Sequence, residues 1–314
     1  MYLQHLTILN YKNIREADLC FSPKINCFIG NNGVGKTNLL DAVYYLSFCK
    51  SHSNSIDAQN ITHEENFFVL NGFYDKEEIE TDIYCGLKRR QKKQFKRDKK
   101  EYEKLSDHIG LIPLVLVSPD DSDLISGGSD ERRKFTDGFI SQYDKAYLNA
   151  LLSYNKAVMQ RNALIKSECA DDALFDIWEE QMQQNGDYIF KKRNEFIQEF
   201  LPYFQEFHSF ISQDKESVEL SYHSQLQSEK SLSVLLKESR QRDQLIGYTT
   251  QGIHKDDLEM TMGGIPIKRI GSQGQNKTYL IALKLAQFDF LQRIGSTKPI
   301  LLFDDIFDKL DTHR

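Results

Sequence analysis

The sequence predicts an α/β fold, a mixed or parallel sheet with an α-helical subdomain inserted into it. Three observations carry the prediction. A glycine-rich stretch, GNNGVGKT at 30–37, stands between a β-branched run and an apolar-periodic one. A second apolar run, PILLFDD at 299–305, ends in two acids near the far end of the chain. Between them, residues 131–211 hold one Pro and two Gly, with apolar positions at helical spacing. One sheet is expected to draw on both ends of the chain, so that 1–130 and 246–314 form a head around a helical insertion at 131–245.

Along the chain, LTILNY, KINCFIG, FFVLNGFY, ETDIYCGLKR and IPLVLVS read as strands up to about residue 120. One helix interrupts them, with Leu39, Leu40, Val43 and Leu46 on a single face. Phe139, Tyr143, Tyr147 and Leu151, then Phe190, Phe196, Phe200 and Phe204, mark an insertion of about four helices. Strand and turn signals return at LIGYTTQGIHKDDLEMTMGGIPIKRIG; a helix then runs from about Gln275 to Ile294, and PILLFDD closes the head.

At 314 residues, with 40% hydrophobic and 27% charged content, the chain has the make-up of a soluble protein of two domains or one large domain with an insertion. Its longest apolar runs, IPLVLV and PILLF, fall far short of the ~20 residues of a membrane span. MYLQHLTILNY reads as a first strand, since it lacks the basic start and continuous apolar stretch of a signal peptide. Five scattered cysteines, odd in number and without a CxxC pair, argue against a disulfide framework or a zinc site, and a reducing cytoplasm is expected.

GNNGVGKT fits the phosphate-loop pattern, strand before and helix after. Gly30, Asn31, Asn32, Gly33, Val34 and Gly35, with Lys36, Thr37 and Asn38 at the helix start, form the expected ATP-binding set. Backbone amides face the phosphates, Lys36 meets the β and γ oxygens, and Thr37 holds Mg²⁺. Asp304 is placed to share the magnesium, and Asp305 to orient or deprotonate the attacking water. Lys36 and Asp305 are thus the catalytic candidates. GSQGQNKT at 271–278 is a second glycine-rich helix start, either a simple cap or a further anion site.

In this order, the phosphate loop, the Ser-Gly-Gln helix start, the strand ending in two acids and DKLD at 308–311 resemble an ABC-type P-loop ATPase head. More closely, YKNIREADLCF, GKTNLLDAVYYLS, SPDDSDLISGGSDERRKFTDGF, GIHKDDLEM and QGQNKTYLIALKLAQ resemble the bacterial RecF family over nearly the whole chain. The resemblance implies a homodimer that sandwiches ATP, in which Ser272, Gly274 and Gln275 of one copy close on the nucleotide of the other. Asp311 would lie in the D-loop near the shared interface, and Lys12 and Asn13 beside the nucleotide. It also implies recombinational repair and replication-gap processing, slow DNA-stimulated hydrolysis, a nucleoid-associated place in the cytoplasm, and RecR and RecO as partners.

The chain departs from the family where Lys12 replaces an Arg, a point charge in place of a fork, and where GIHKDDL and GGSDERR lack an expected Pro. The family pattern runs on past DTHR with a helix and a switch strand, so the head is expected to lack its C-terminal part and hydrolysis is left open. His254, Asp256 and Asp257 receive no role.

KRRQKKQFKRDKK at 88–100 carries nine Lys or Arg and one Asp, a local charge of +8 in a chain of −6. It is either a solvated hairpin tip, with RDKK as its turn, or a DNA-facing surface. On the second reading Lys88, Arg89, Arg90, Lys92, Lys93, Lys96 and Arg97 meet phosphates without reading sequence. Arg132, Arg133 and Lys134 are taken as structural or interface residues. The alternatives are a transporter's nucleotide-binding subunit, which needs neither basic run nor helical insertion, and an SMC-like structural ATPase, which needs a longer insertion with sustained heptads.

Overall fold

The computed structural model describes residues 1–76, 79–168, 171–213, 216–228, 230–295 and 297–305. They fall into two compact units, the first comprising Met1–Pro119 with Leu291–Ile306 and the second built on Asp120–Phe290.

In the first unit, β1 (Tyr2–Tyr11), β2 (Ile14–Cys20), β3 (Phe67–Lys76), β4 (Ile79–Lys88), β5 (Gln94–Arg97) and β6 (Lys100–Glu101) form an antiparallel sheet of order β2-β1-β3-β4-β5-β6. The period-2 pattern explains its face: Leu6 and Ile8, Phe68 and Leu70, Ile83 and Cys85 all point into one core. Helix α1 (Lys36–Phe48) covers that face with Leu39, Leu40, Val43 and Leu46. At Gly72 a Cβ would stand 2.8 Å from Leu46 Cδ1, so the bare glycine gives the helix's Leu46 side chain its room against the sheet. Strand β7 (Leu114–Val117) follows, fully buried.

Segment 25–29, expected as a strand, is not one. It pairs with no strand among the described residues, and Ile25 and Ile29 are 81% and 96% exposed. Without a ladder partner the extended backbone gains nothing over hydrated coil.

The second unit holds α2 (Asp123–Ser126), α3 (Ser129–Ile140), α4 (Lys145–Lys166), α5 (Asp172–Ser212), β8 (Val218–His223), α6 (Leu232–Ile246), β9 (Asp257–Met262), β10 (Ile265–Pro266), α7 (Ile267–Ile270) and α8 (Gln273–Ile294). Over 129–246 the described residues form four helices, α3, α4, α5 and α6, the number expected for the insertion. The run from Phe139 to Leu151, expected on one helix, breaks because the Asp144 carboxylate accepts from the Tyr147 amide at 2.8 Å and caps α4 afresh. Phe139 packs edge-on against Phe196, Phe200 and Phe290, with centroids 4.7, 5.2 and 5.5 Å away. These aromatics join α3, α5 and α8.

Buried ion pairs complete this unit and account for GIHKDD. Arg193 of α5 grips Asp137 at 2.8 and 3.0 Å and reaches Asp256 at 3.2 Å. Arg132 holds both oxygens of Asp257, at 2.7 and 3.0 Å. His254 lies between the Tyr154 hydroxyl at 2.9 Å and Thr249 O at 3.2 Å. His254, Asp256 and Asp257 therefore fasten the loop before β9 onto the helices, and Arg132 is structural.

The chain returns to the first unit at β11 (Ile300–Phe303), which pairs in parallel with β7 so that Phe303 faces Val117. Both ends of the chain thus build one unit, with antiparallel and parallel pairing in separate sheets. No described helix is long and apolar enough to cross a membrane.

Candidate nucleotide-binding site

Gly33 and Gly35 have φ of 83° and 107°, the left-handed backbone that a tight wrap needs before α1 begins. A Cβ on Gly35 would also stand 2.9 Å from Asn13 Oδ1. Asn13 exploits that closeness: its Nδ2 donates to Gly33 O at 2.9 Å, and its Oδ1 accepts from Asn38 Nδ2 at 2.7 Å. It clamps the loop to the first turn of the helix. Lys36 Nζ donates to Gly30 O at 2.8 Å and Asn31 O at 3.0 Å. The ammonium therefore sits inside the curl, where phosphate oxygens can compete for its donors. Asn31, Asn32 and Val34 lie exposed on the loop.

Lys12 is placed elsewhere. Its Nζ meets Asp41 Oδ2 and Ser53 Oγ, both at 2.6 Å. Asp41 is buried and also accepts from Tyr11 OH at 2.6 Å, Ser51 Oγ at 2.7 Å and the His52 amide at 2.7 Å. Burial pushes the Asp41 carboxyl up, but Lys12 and these hydrogen bonds outweigh it and hold it below the ordinary carboxylate range. Lys12, expected beside the nucleotide, is here an ammonium paired with a buried carboxylate, and it anchors the turn that carries Asn13. Asp41, which no motif flags, is the residue the sequence conceals.

On the other side of the loop, Thr37 Oγ1 donates to Asp304 Oδ1 at 3.1 Å. The strand fixes Asp304, whose amide donates to Val117 O at 2.9 Å. A hydroxyl and a carboxylate this close offer two hard oxygens, and Mg²⁺ characteristically takes one or two such ligands and completes its shell with phosphate and water. The pair fits magnesium nucleotide. Asp305 is exposed at the strand end with φ 50°.

In the second unit the Ser272 amide donates to Gln275 Oε1 at 2.8 Å, and the Gln275 amide donates to Ser272 Oγ at 3.3 Å. This reciprocal capping box starts α8. Ser272 is exposed and Gly274 follows in the first turn. Gln275 Nε2 also donates to Glu216 Oε1 at 2.6 Å, a partner 59 residues away that the motif does not reveal. Asp311 lies outside the described residues.

The basic run forms the β4–β5 and β5–β6 turns. Asp98 and Lys99 take φ of 50° and 67°, as a two-residue hairpin requires. Lys88, Arg89, Arg90, Lys92 and Arg97 are exposed, although Arg89 also donates to Glu65 O at 2.9 Å. Lys96 lies over the Tyr84 ring at 5.4 Å. Lys93 must be withdrawn from the DNA set. Its side chain is 11% exposed, and its Nζ bonds Asp57 at 2.7 Å, Cys49 O at 2.6 Å and Tyr45 OH at 3.0 Å.

A family model described as the RecF/RecN/SMC N terminal domain matches residues 2–314. The chain is 65% identical over 317 residues to the DNA replication and repair protein RecF of Phocaeicola vulgatus, across 100% of this chain and 85% of that protein. To the protein of the same name from Bacteroides fragilis (strain YCH46) it is 64% identical over 316 residues, across 100% and 85%. Among solved structures, the recombination mediator protein RecF-ATP in the RecFOR pathway superposes with a TM-score of 0.93 at 29% identity, over 99% of this chain and 87% of that one. An Smc head domain from Pyrococcus furiosus, at 17% identity and a TM-score of 0.53 over 99% and 83%, shares the fold.

Proposed function

This chain belongs to the RecF family, and on that premise we propose that it is an ATP-binding protein of DNA replication and repair in which ATP drives two copies together on DNA. The observation that carries the dimer is the surplus helix start. Lys36 and the loop amides are placed for the phosphates of their own chain, which leaves the exposed Ser272 and the first-turn amide of Gly274 as a second anion site, one suited to the γ-phosphate of a second copy. Since they bind only when nucleotide is held opposite, dimerisation is linked to ATP.

Within one site, Asn13 keeps the loop wrapped, Lys36 gives its donors to phosphate oxygens, and Thr37 and Asp304 hold the metal. Bound Mg²⁺ would neutralise charge developing on the transferred phosphoryl group. Asp305, next to the metal ligand, orients the attacking water, and slow hydrolysis releases the pair. RecR and RecO are the expected partners in filling single-strand gaps, and the exposed arginines and lysines of the β4–β6 edge are the DNA surface. Neither alternative is favoured: the relatives matched at 50% identity or better over the whole chain are RecF proteins.

Anisotropy of a labelled duplex and of a gapped duplex, titrated at several salt concentrations with Mg-ATP and with Mg-ADP, tests this reading. Binding should be tight with ATP, weaken steeply with salt, and be much weaker with ADP. Equal affinity in the two nucleotides would refute it.

A further inference from the structure

The signature residues that would face a partner's nucleotide are held by a residue outside the motif. Gln275 Oε1 accepts from the Ser272 amide at 2.8 Å while Gln275 Nε2 donates to Glu216 Oε1 at 2.6 Å. An amide side chain has one accepting and one donating end, and a carboxylate can only accept. Glu216 therefore selects the orientation of Gln275 that turns its oxygen to Ser272; the reversed amide would set donor against donor at one end and acceptor against acceptor at the other. With the box closed, Ser272 Oγ accepts from the Gln275 amide at 3.3 Å. Its own O–H is left to donate outward from an exposed position.

Glu216 stands just before β8, where α5 gives way to the sheet, and it lines a cavity of about 290 Å³ with Gln205, His208 and Ser209. Its second oxygen, Oε2, accepts no hydrogen bond from the described residues. The carboxylate is committed to Gln275.

We propose that Glu216 is a positioning residue of the signature, which sets the Ser272 hydroxyl through Gln275 and so governs ATP-dependent pairing without touching the nucleotide of its own chain. The proposal rests on the reading that Ser272 acts on a second copy.

The test measures ATP-dependent pairing by sedimentation, ATP affinity at the chain's own loop by titration, and melting temperature. Glu216→Ala should weaken pairing by about tenfold or more, the scale of a lost hydrogen bond to a charged group. Own-site affinity should stay within about twofold, the spread expected for a site whose own hydrogen bonds are untouched. Glu216→Gln, whose amide oxygen can still accept, should recover pairing. Gln275→Glu alone sets two carboxylates together and should fail, whereas the exchange Glu216→Gln with Gln275→Glu rebuilds the relay and should restore pairing. The exchange also decides the matter if Glu216→Ala melts early. Normal pairing by Glu216→Ala, or failure of the exchange, would overturn the proposal while Ser272→Arg still loses pairing. If Ser272→Arg itself pairs normally, the reading beneath the proposal falls and takes it down as well.

Discussion

The Thr37 hydroxyl donates to Asp304 Oδ1 at 3.1 Å although 267 positions separate the two residues. Parallel pairing of β11 with β7 makes this possible, because it carries the acidic end of the last strand to the phosphate loop. If the pair holds magnesium, Thr37→Ala and Asp304→Asn should each lower ATP affinity measured with Mg²⁺ toward the value measured with EDTA. Nucleotide titrations with and without chelator check this; a variant that keeps the full magnesium enhancement would place the ion elsewhere.

Gly35 carries two constraints, its φ of 107° and the 2.9 Å approach to Asn13 Oδ1. Gly35→Ala should abolish ATP binding. Adding Asn13→Ala removes the collision and keeps the strained backbone, so calorimetry of the double variant should show at most partial recovery.

The basic residues divide by burial. Lys92, Lys96 and Arg97 stand at the hairpin edge, and neutralising all three should flatten the dependence of DNA affinity on salt by about one unit of slope for each phosphate no longer neutralised. Lys93→Ala should leave that slope unchanged and instead destabilise the fold by about 1–2 kcal/mol, since it removes the hydrogen bonds to the Cys49 carbonyl and to Asp57, a carboxylate that is partly exposed and keeps the Tyr45 hydroxyl. Binding isotherms at four salt concentrations and chemical denaturation separate the two effects.

His108 is fully buried, with Nε2 on Leu46 O at 2.6 Å and Nδ1 on Tyr102 OH at 3.1 Å. A carbonyl only accepts, so Nε2 carries the proton and the ring is neutral. Burial pushes its pKa down from 6.5 to about 4, and that of His254 likewise. In this window the unfolded chain binds more protons, so both histidines make stability fall as pH drops from 6.5 to about 4, each by up to about 3 kcal/mol. Asp256 opposes them, because burial raises its pKa to about 6 and the folded chain then binds the extra proton. Two groups outweigh one. Melting temperature should therefore fall on acidification through this range, and less steeply in His108→Leu. A wild type equally stable at pH 4.5 and 6.5 would contradict the assignment.

Features built from neighbours in the chain are readable in the sequence. The phosphate loop and the capping box at Ser272 and Gln275 each close within a few residues, so spacing alone exposes them. Partners far apart are not readable: Lys93 looks like any lysine of its run until Asp57, 36 positions earlier, folds against it. Lys12 with Asp41 and Glu216 with Gln275 are hidden for the same reason. Segment 25–29 shows the converse error, since β-branched residues promise a strand but cannot supply the neighbour that makes one. One helix boundary is hidden as well, because the Asp144 cap that divides α3 from α4 is set inside an unbroken apolar period.

The claim on which everything else rests is that Ser272 serves the nucleotide of a second copy. Sedimentation of the wild type, Lys36→Ala and Ser272→Arg, each with Mg-ATP and with ADP, tests it most directly. The wild type should dimerise with ATP alone, Lys36→Ala should neither bind nor dimerise, and Ser272→Arg should bind ATP yet remain monomeric. A Ser272→Arg protein that dimerises as fully as the wild type, or one that has lost ATP binding altogether, would contradict the account.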